Sequence, residues 1–444
     1  MLAGFAQIEF TPPLGTQMPG NFKGYEAKTS NGGLFANAAA VTAGEVSVIL
    51  LSLDMLELRE PGVTKVRTRI SEKTGVPVHH ILVAATHTHT GPAVDLPIFY
   101  CPPDLAVAAY THERAIEAGI AAWNAREECT LGAARMEEKR FGFNRDILMQ
   151  DGSVKTNAGY NREGAVGTAG GVDHAFHLMR FDGADGKPRA FFVNYANHPD
   201  CHGSHDNMFC ADFPGYMRRA VQAECGADVK VLFFNGTAGD INFHDFIHRT
   251  NTFLTESDTI LPETIGRGLA EDVLALHPTL TADTADPYVA SVSSVYTAER
   301  RAKTPEHVAW AKAILADREK SSISDQAYAE EYMESDEELE NTIPLEVQTI
   351  RLGPWAIVGI PAEVFTATGE WIREGSPYEN TLVFELANGC IGYIPTKIAI
   401  RGGAYEARVS KYNSCCHEDT AEKIAAHAVA QLKQMHEEEI RSKR

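Results

Sequence analysis

The strongest chemical signal in this chain is Thr86-His87-Thr88-His89-Thr90-Gly91-Pro92, which follows directly on the apolar run Ile81-Leu82-Val83-Ala84-Ala85. Neutral imidazole is a common zinc ligand. If the apolar run is a buried strand, side chains two apart share a face, so His87 and His89 emerge together at the strand end, where α/β folds bind ligands. The competing reading is a pair of histidines in a polar loop, because two imidazoles do not complete a site of three or four ligands. A second strand end, Asn194-Tyr195-Ala196-Asn197-His198-Pro199, carries His198, with His202 and His205 close behind as further ligands or as solvated loop histidines. Pro199 cannot join a hydrogen-bonded ladder and so fits termination of that strand. A third lies at Phe233-Phe234-Asn235-Gly236-Thr237-Ala238-Gly239-Asp240-Ile241-Asn242-Phe243. Its glycines permit close backbone approach to a ligand, although a Gly-Asp turn is also ordinary turn chemistry.

Positioning these groups requires rigid elements, and the pattern between them supplies candidates. Strand-length apolar runs 46–53, 81–85, 188–195 and 229–234 alternate with helical patterns at 63–74, about 214–225 and about 262–276. That alternation predicts an α/β fold with a mixed sheet in one large layered domain over residues 1–444. Segments 347–352, 355–359 and 382–386 read as further strands, and 421–435 as a helix. Residues 305–341 read as a solvated helical insertion, strongly acidic in its second half. No internal repeat or low-complexity linker is visible.

With 444 residues and 44% hydrophobic composition, the chain can bury a large core. Its formal charge of −20 excludes an electrostatic grip on nucleic acid or on an anionic membrane. The N-terminus lacks a basic leader, and no stretch approaches the roughly 18 to 20 apolar residues of a membrane helix. Eight cysteines without regular pairing suit reduced thiols, so the expectation is a cytoplasmic protein acting on a small molecule. Its oligomeric state is not legible.

Taken in order, these motifs resemble the neutral/alkaline, non-lysosomal ceramidase family of zinc-dependent amidases. Further carriers are Ile8-Glu9-Phe10-Thr11-Pro12-Pro13-Leu14-Gly15, Leu51-Ser52-Leu53-Asp54, Asn144-Arg145, Ala211-Asp212-Phe213-Pro214-Gly215-Tyr216, Gly359-Ile360-Pro361-Ala362-Glu363-Val364-Phe365 and Leu386-Ala387-Asn388-Gly389-Cys390-Ile391-Gly392-Tyr393-Ile394-Pro395. The resemblance spans almost the whole chain. It implies one Zn²⁺ held by His87, His198, Glu363 and Tyr393, with His89, Arg145 and Tyr405 facing the substrate. Asp240 and Asn242 are possible site members. Without the resemblance, Glu363 reads as a carboxylate at a helix N-terminus and Tyr393 as a packing aromatic. Mixed nitrogen and oxygen ligands also accept Mn²⁺, Fe²⁺ or Ni²⁺.

The chain departs from the family in two places. Family members carry a serine in Gly-Asp-x-Ser-Pro, whereas this chain reads Gly239-Asp240-Ile241-Asn242-Phe243. Asn has no titratable proton, so proton handling would pass to Glu363, His89, Asp240 or another base. The family's C-terminal Ig-like β-domain is expected to be missing. The leading expectation is a zinc hydrolase of an amide or related acyl bond in a small water-soluble substrate. The alternatives are a hydrolase of an ester, lactone or carbohydrate derivative, and a non-catalytic metal-stabilised binding protein.

Overall fold

The computed structural model describes residues 1–95, 97–202, 206–248, 261–281, 288–334, 341–410 and 413–442. Eight strands form the main sheet: β1 Leu2–Glu9, β2 Phe35–Ala43, β3 Val46–Leu53, β4 Ile81–Ala85, β5 Glu127–Glu137, β6 Ala175–Gly183, β7 Pro188–Tyr195 and β8 Lys230–Asn235. Their spatial order is β8-β7-β6-β5-β1-β2-β3-β4. The pairs β3·β4 and β7·β8 are parallel, and the others are antiparallel.

The sheet thus consists of two halves with one connectivity. Each runs through an antiparallel strand, a hairpin, a crossover helix and a parallel strand. The crossovers are α1, Gly62–Thr74, in the first half and α3, Asp212–Cys225, in the second, and α2, Leu105–Asn124, joins the halves. Asp104 caps α2 by accepting from the backbone N–H groups of Ala106 and Val107.

Because side chains alternate across a strand, both faces of this sheet must be covered. One face is covered by helices. Ile49, Leu51, Val83 and Ala85 pack towards α1 and α2, while Phe191, Val193 and Phe233 pack towards α3 and α4, Leu261–Leu276. The other face, with Val48, Leu50, Leu82, Phe192 and Phe234, packs on a second sheet. That sheet orders β9 Val289–Glu299, β10 Thr342–Leu352, β11 Trp355–Gly359 and β12 Thr381–Phe384 side by side. Phe234 stacks on Phe384 across the interface, with centroids 4.4 Å apart and planes 2° apart. Helices α7, Thr366–Gly375, and α8, Thr420–Ser442, cover its outer face, burying Ile372, Ile424, Ala428 and Leu432. The layering is helix, mixed sheet, sheet, helix, as the α/β expectation requires.

The main sheet curls so that its two ends approach each other. Ser52 on β3 donates through Oγ to the Phe233 carbonyl of β8 at 2.5 Å. At the carboxyl end of β3, Asp54 accepts from Arg218 of α3 at 2.7 Å, and both side chains are buried. A buried guanidinium and carboxylate therefore bind the first half to the second.

Two expectations need correction. The acidic segment does form helices, α5 at Pro305–Ala316 and α6 at Ile323–Glu334, but α6 is not a wholly solvated face. Tyr328 and Tyr332, one turn apart, are buried with Ala327 and Ala329. Residues 335–340 of that run lie outside the described residues. All eight cysteines are free thiols. No helix among the described residues is long and apolar enough to cross a membrane.

Candidate metal centre

The second correction concerns how the two loop histidines meet. The strand β4 stops at Ala85, and His87 has a left-handed backbone, φ 73°, so the pleat does not carry through to His89. A left-handed conformation is costly for a non-glycine residue and here is held by the His87 N–H donating to the Met55 carbonyl at 2.9 Å. As a result the two rings meet edge-on, with centroids 5.0 Å apart.

His198, just past β7, joins them. His87 Nε2 lies 3.1 Å from His198 Nε2, and His89 Nε2 lies 3.2 Å from it. The Nδ1 atoms face the carbonyls of Leu56 at 2.9 Å, Gly20 at 2.9 Å and Ala238 at 3.5 Å, for His87, His89 and His198 respectively. A carbonyl can only accept, so each Nδ1 carries the hydrogen and each Nε2 turns a lone pair inward. Three converging lone pairs repel one another unless a cation lies among them. Separations of 3.1 and 3.2 Å are close to the edge of a tetrahedron whose corners stand about 2.0 Å from a zinc ion. Among the described residues, these three imidazoles form the group whose geometry could hold a metal ion.

Glu363 adds a charge that suits a cation. Its Oε2 lies 3.1 Å from His87 Nε2. Without an ion there, burial alone would lower the basicity of His87, but the Glu363 carboxylate outweighs it and raises that imidazole to about 9, so Nε2 then holds a proton against Glu363 that a bound metal would displace. His198 goes the opposite way, pushed well down by burial and by the cationic Arg145. Burial would raise Glu363, yet His87 and the Tyr393 hydroxyl hold it below the usual carboxylate range. Glu363 and Tyr393 stand side by side in a two-stranded parallel ladder formed by Glu363–Val364 and Tyr393–Ile394. The Tyr393 hydroxyl accepts from Arg145 at 3.1 Å, and Arg145 is fixed in turn by Glu406 at 2.7 Å and the Gly239 carbonyl at 2.9 Å.

These groups form one end of a cavity of about 490 Å³, also lined by His89, Arg145 and Tyr405. Tyr405 is anchored by its N–H, which donates to Thr156 Oγ1 at 3.0 Å, and burial pushes its phenol up to about 12. Asp240 and Asn242 do not line the cavity. Asp240 accepts from the Thr366 N–H at 2.8 Å, at the start of α7, and from Asn144 Nδ2 at 2.7 Å. Asn242 reaches the wall through Asn157, donating to its Oδ1 at 2.6 Å. His202 points elsewhere, with Nδ1 3.1 Å from Asp206, and His205 lies outside the described residues.

Several participants carried no local sequence signal. Asp200 lies 3.3 Å from His89 Nδ1. The buried Glu57 and Arg59 form a pair at 2.5 Å in the cavity wall. Ser324 and Glu331 reach the cavity from α6. Glu385 sits behind the site, where its Oε2 accepts from the Ala238 N–H at 3.2 Å.

Fold and site together define a layered α/β protein with a metal-type donor cluster where β4 and β7 end. No protein-family model and no curated protein sequence matches this chain. Solved structures do match. The neutral ceramidase from Pseudomonas aeruginosa superposes with a TM-score of 0.71 at 14% identity, covering 96% of this chain and 73% of that one. A ceramidase complexed with C2 gives a TM-score of 0.73 at 13% identity, covering 98% of this chain and 75% of that one. The chain has the neutral ceramidase fold.

Proposed function

We propose that this protein is a metal-dependent hydrolase that cleaves an acyl bond, foremost an amide, in a small water-soluble substrate. The observation that carries the reading is the convergence of His87, His198 and Glu363 donor atoms in a cavity of mixed polar and apolar lining. The donor set suits zinc, held by His87, His198 and Glu363 with Tyr393 closing the set, as the resemblance to ceramidases implies. Bound there, the ion would lower the pKa of a coordinated water towards neutrality and polarise the scissile carbonyl.

The chain's own groups supply the rest. His89 lines the cavity with Nε2 3.2 Å from His198 Nε2 and Nδ1 3.3 Å from Asp200, placed to accept a proton from the attacking water and return it to the leaving group. Arg145 holds the Tyr393 hydroxyl in place at the metal set, and Tyr405 lines the same cavity, so its phenol can donate to a developing oxyanion. Hydrolysis forms the acyl C–O bond, breaks the C–N bond and delivers a proton to the departing amine. Asn242, where ceramidases carry serine, cannot exchange a proton, and in this reading that task falls to His89 rather than Glu363, which holds the metal. Free thiols at every cysteine support a reducing, cytoplasmic setting.

A second reading follows from the three-imidazole cluster, in which His89 is a ligand and Glu363 the base. Metal analysis of His89→Ala and Glu363→Gln decides between them. The first reading expects His89→Ala to keep its metal and lose turnover, and Glu363→Gln to lose both. The opposite pattern establishes the second. Metal-free wild type would overturn both.

A further inference from the structure

We infer that α6, Ile323–Glu334, is the selectivity wall of this cavity, and that the wall selects a compact, uncharged, multiply hydroxylated acyl compound such as an N- or O-acylated sugar. The inference rests on the hydrolase reading above and names its substrate class.

An acidic helix on the surface would ordinarily be a solvated face. This one is pinned. Tyr328 is fully buried, with ring centroids 5.8 Å from Phe22, 5.2 Å from Phe99 and 5.9 Å from Tyr405. Arg408 lies over the Tyr328 ring at 5.5 Å and donates to Ser324 Oγ and Asp325 Oδ1, both at 3.3 Å. Phe22 and Tyr405 themselves line the cavity, so the anchor of the helix is continuous with the wall of the site.

The chemistry of that wall is specific. Arg59 is matched by Glu57 at 2.5 Å, Arg408 by Asp325 at 3.3 Å and Arg145 by Glu406 at 2.7 Å, so each guanidinium of the cavity has its own carboxylate and the wall does not favour an anionic ligand. The same side chains remain rich in directional donors and acceptors, which hydroxyl groups can satisfy because each both donates and accepts. A long hydrocarbon tail would strip water from Glu331 and Arg408 and return no hydrogen bond, a costly exchange. The rings of Phe22 and Tyr405 supply apolar surface suited to the C–H face of a sugar. A volume of about 490 Å³ fits a molecule of that size with a short acyl group.

The test compares kcat/KM for N-acetyl-D-glucosamine, 6-O-acetylglucose, N-acetylhexylamine and N-palmitoylethanolamine, with p-nitrophenyl acetate as a generic acyl donor. Wild type, Glu331→Ala and Ser324→Ala are compared, with metal content and Tm recorded for each. The inference expects an acetylated sugar to exceed N-acetylhexylamine and N-palmitoylethanolamine. It expects Glu331→Ala to reduce that preference by about tenfold or more, mainly through KM, and Ser324→Ala to reduce it less, with metal content unchanged. Preference for N-palmitoylethanolamine, or a preference unmoved in both variants, overturns it. Hydrolysis of p-nitrophenyl acetate without discrimination among the four overturns it while leaving the hydrolase reading intact. Metal-loaded wild type inert towards all five compounds overturns both.

Discussion

The two halves of the main sheet share a connectivity yet divide their labour differently. In the first half, the ligand loop follows the outer strand β4, and the carbonyl that orients His87 belongs to Leu56, beyond the inner strand β3. In the second half the roles are exchanged. His198 follows the inner strand β7, and its orienting carbonyl, Ala238, lies beyond the outer strand β8. The packing differs as well. The first half is built from small residues, with Ala36, Ala38 and Ala40 against Ala115, Ala118 and Ala122 of α2. A Cβ on Gly4 would sit 2.3 Å from the Ala122 carbonyl, which shows how closely helix and sheet approach. The second half is built from Phe176, Phe191, Phe233 and Tyr195. Connectivity therefore did not dictate where chemistry sits. The curl of the sheet did, by bringing non-equivalent strand ends to one point.

The most severe way to break this arrangement is to remove a ligand from either half. His87→Ala and His198→Ala are expected to lose metal and turnover alike while remaining folded, as elemental analysis and circular dichroism would register. A difference between them in metal content would mean that one half alone carries the ion.

Next in size is the tie between halves. Asp54→Ala leaves Arg218 buried without its carboxylate, and a loss of about 3–5 kcal/mol is expected in denaturant unfolding. A loss below about 1 kcal/mol would show that the ends of the sheet are held by packing instead.

Asp240 offers a contrast, since backbone and amide donors hold it where Arg218 holds Asp54. Burial raises its carboxyl to about 6. Between the ordinary carboxylate pKa and that value, the folded chain retains a proton that the unfolded chain has released, so stability declines as pH rises through this window. Asp240→Asn is expected to flatten the decline, by an amount on the order of 3 kcal/mol between pH 4 and 7. Parallel stability curves for the two proteins would refute the assignment.

A further contrast concerns the carbonyl arm of the second half. Glu385 accepts from the Ala238 and Val364 N–H groups, and burial holds its carboxyl well above the usual range. Glu385→Ala orphans both donors, costing about 1–3 kcal/mol for each, and is expected to weaken metal binding about tenfold to a hundredfold. Glu385→Gln keeps an acceptor in place and should remain close to wild type in a chelator competition. Equal losses in the two variants would mean that an acceptor oxygen at this position does not suffice and that the hydrogen bonds to Ala238 and Val364 do not carry the effect.

Half of the main sheet was legible in the chain because β3, β4, β7 and β8 are largely buried on both faces and read as continuous apolar runs, whereas β1 and β5 mix polar and apolar residues and, with β2 and β6, carry no expectation from the sequence. The runs at β3, β4 and β7 match the observed strands residue for residue, and the helices after β3 and β7 begin within two residues of the expected positions, whereas α2, after β4, carries no expectation from the sequence. His87 and His198 were legible for the same reason, each standing just past such a run. Glu385 and Asp200 were not, because a carboxylate in a loop has no periodicity to distinguish it from solvated neighbours. The acidic helix was misread as wholly solvated because its charges hide the pair Tyr328 and Tyr332.

By itself, then, the sequence determined that the apolar runs at β3, β4, β7 and β8 become strands, and which imidazoles stand at strand ends, since these follow from local periodicity and from the chemistry of each side chain. Only the tertiary structure decided that β4 and β7 deliver their histidines to one point, that His87 turns through a left-handed backbone to get there, and that α6 walls the cavity. Those outcomes depend on sheet curvature and on contacts between residues far apart in the chain, such as Ser52 with Phe233 and Asp54 with Arg218, which no local pattern encodes.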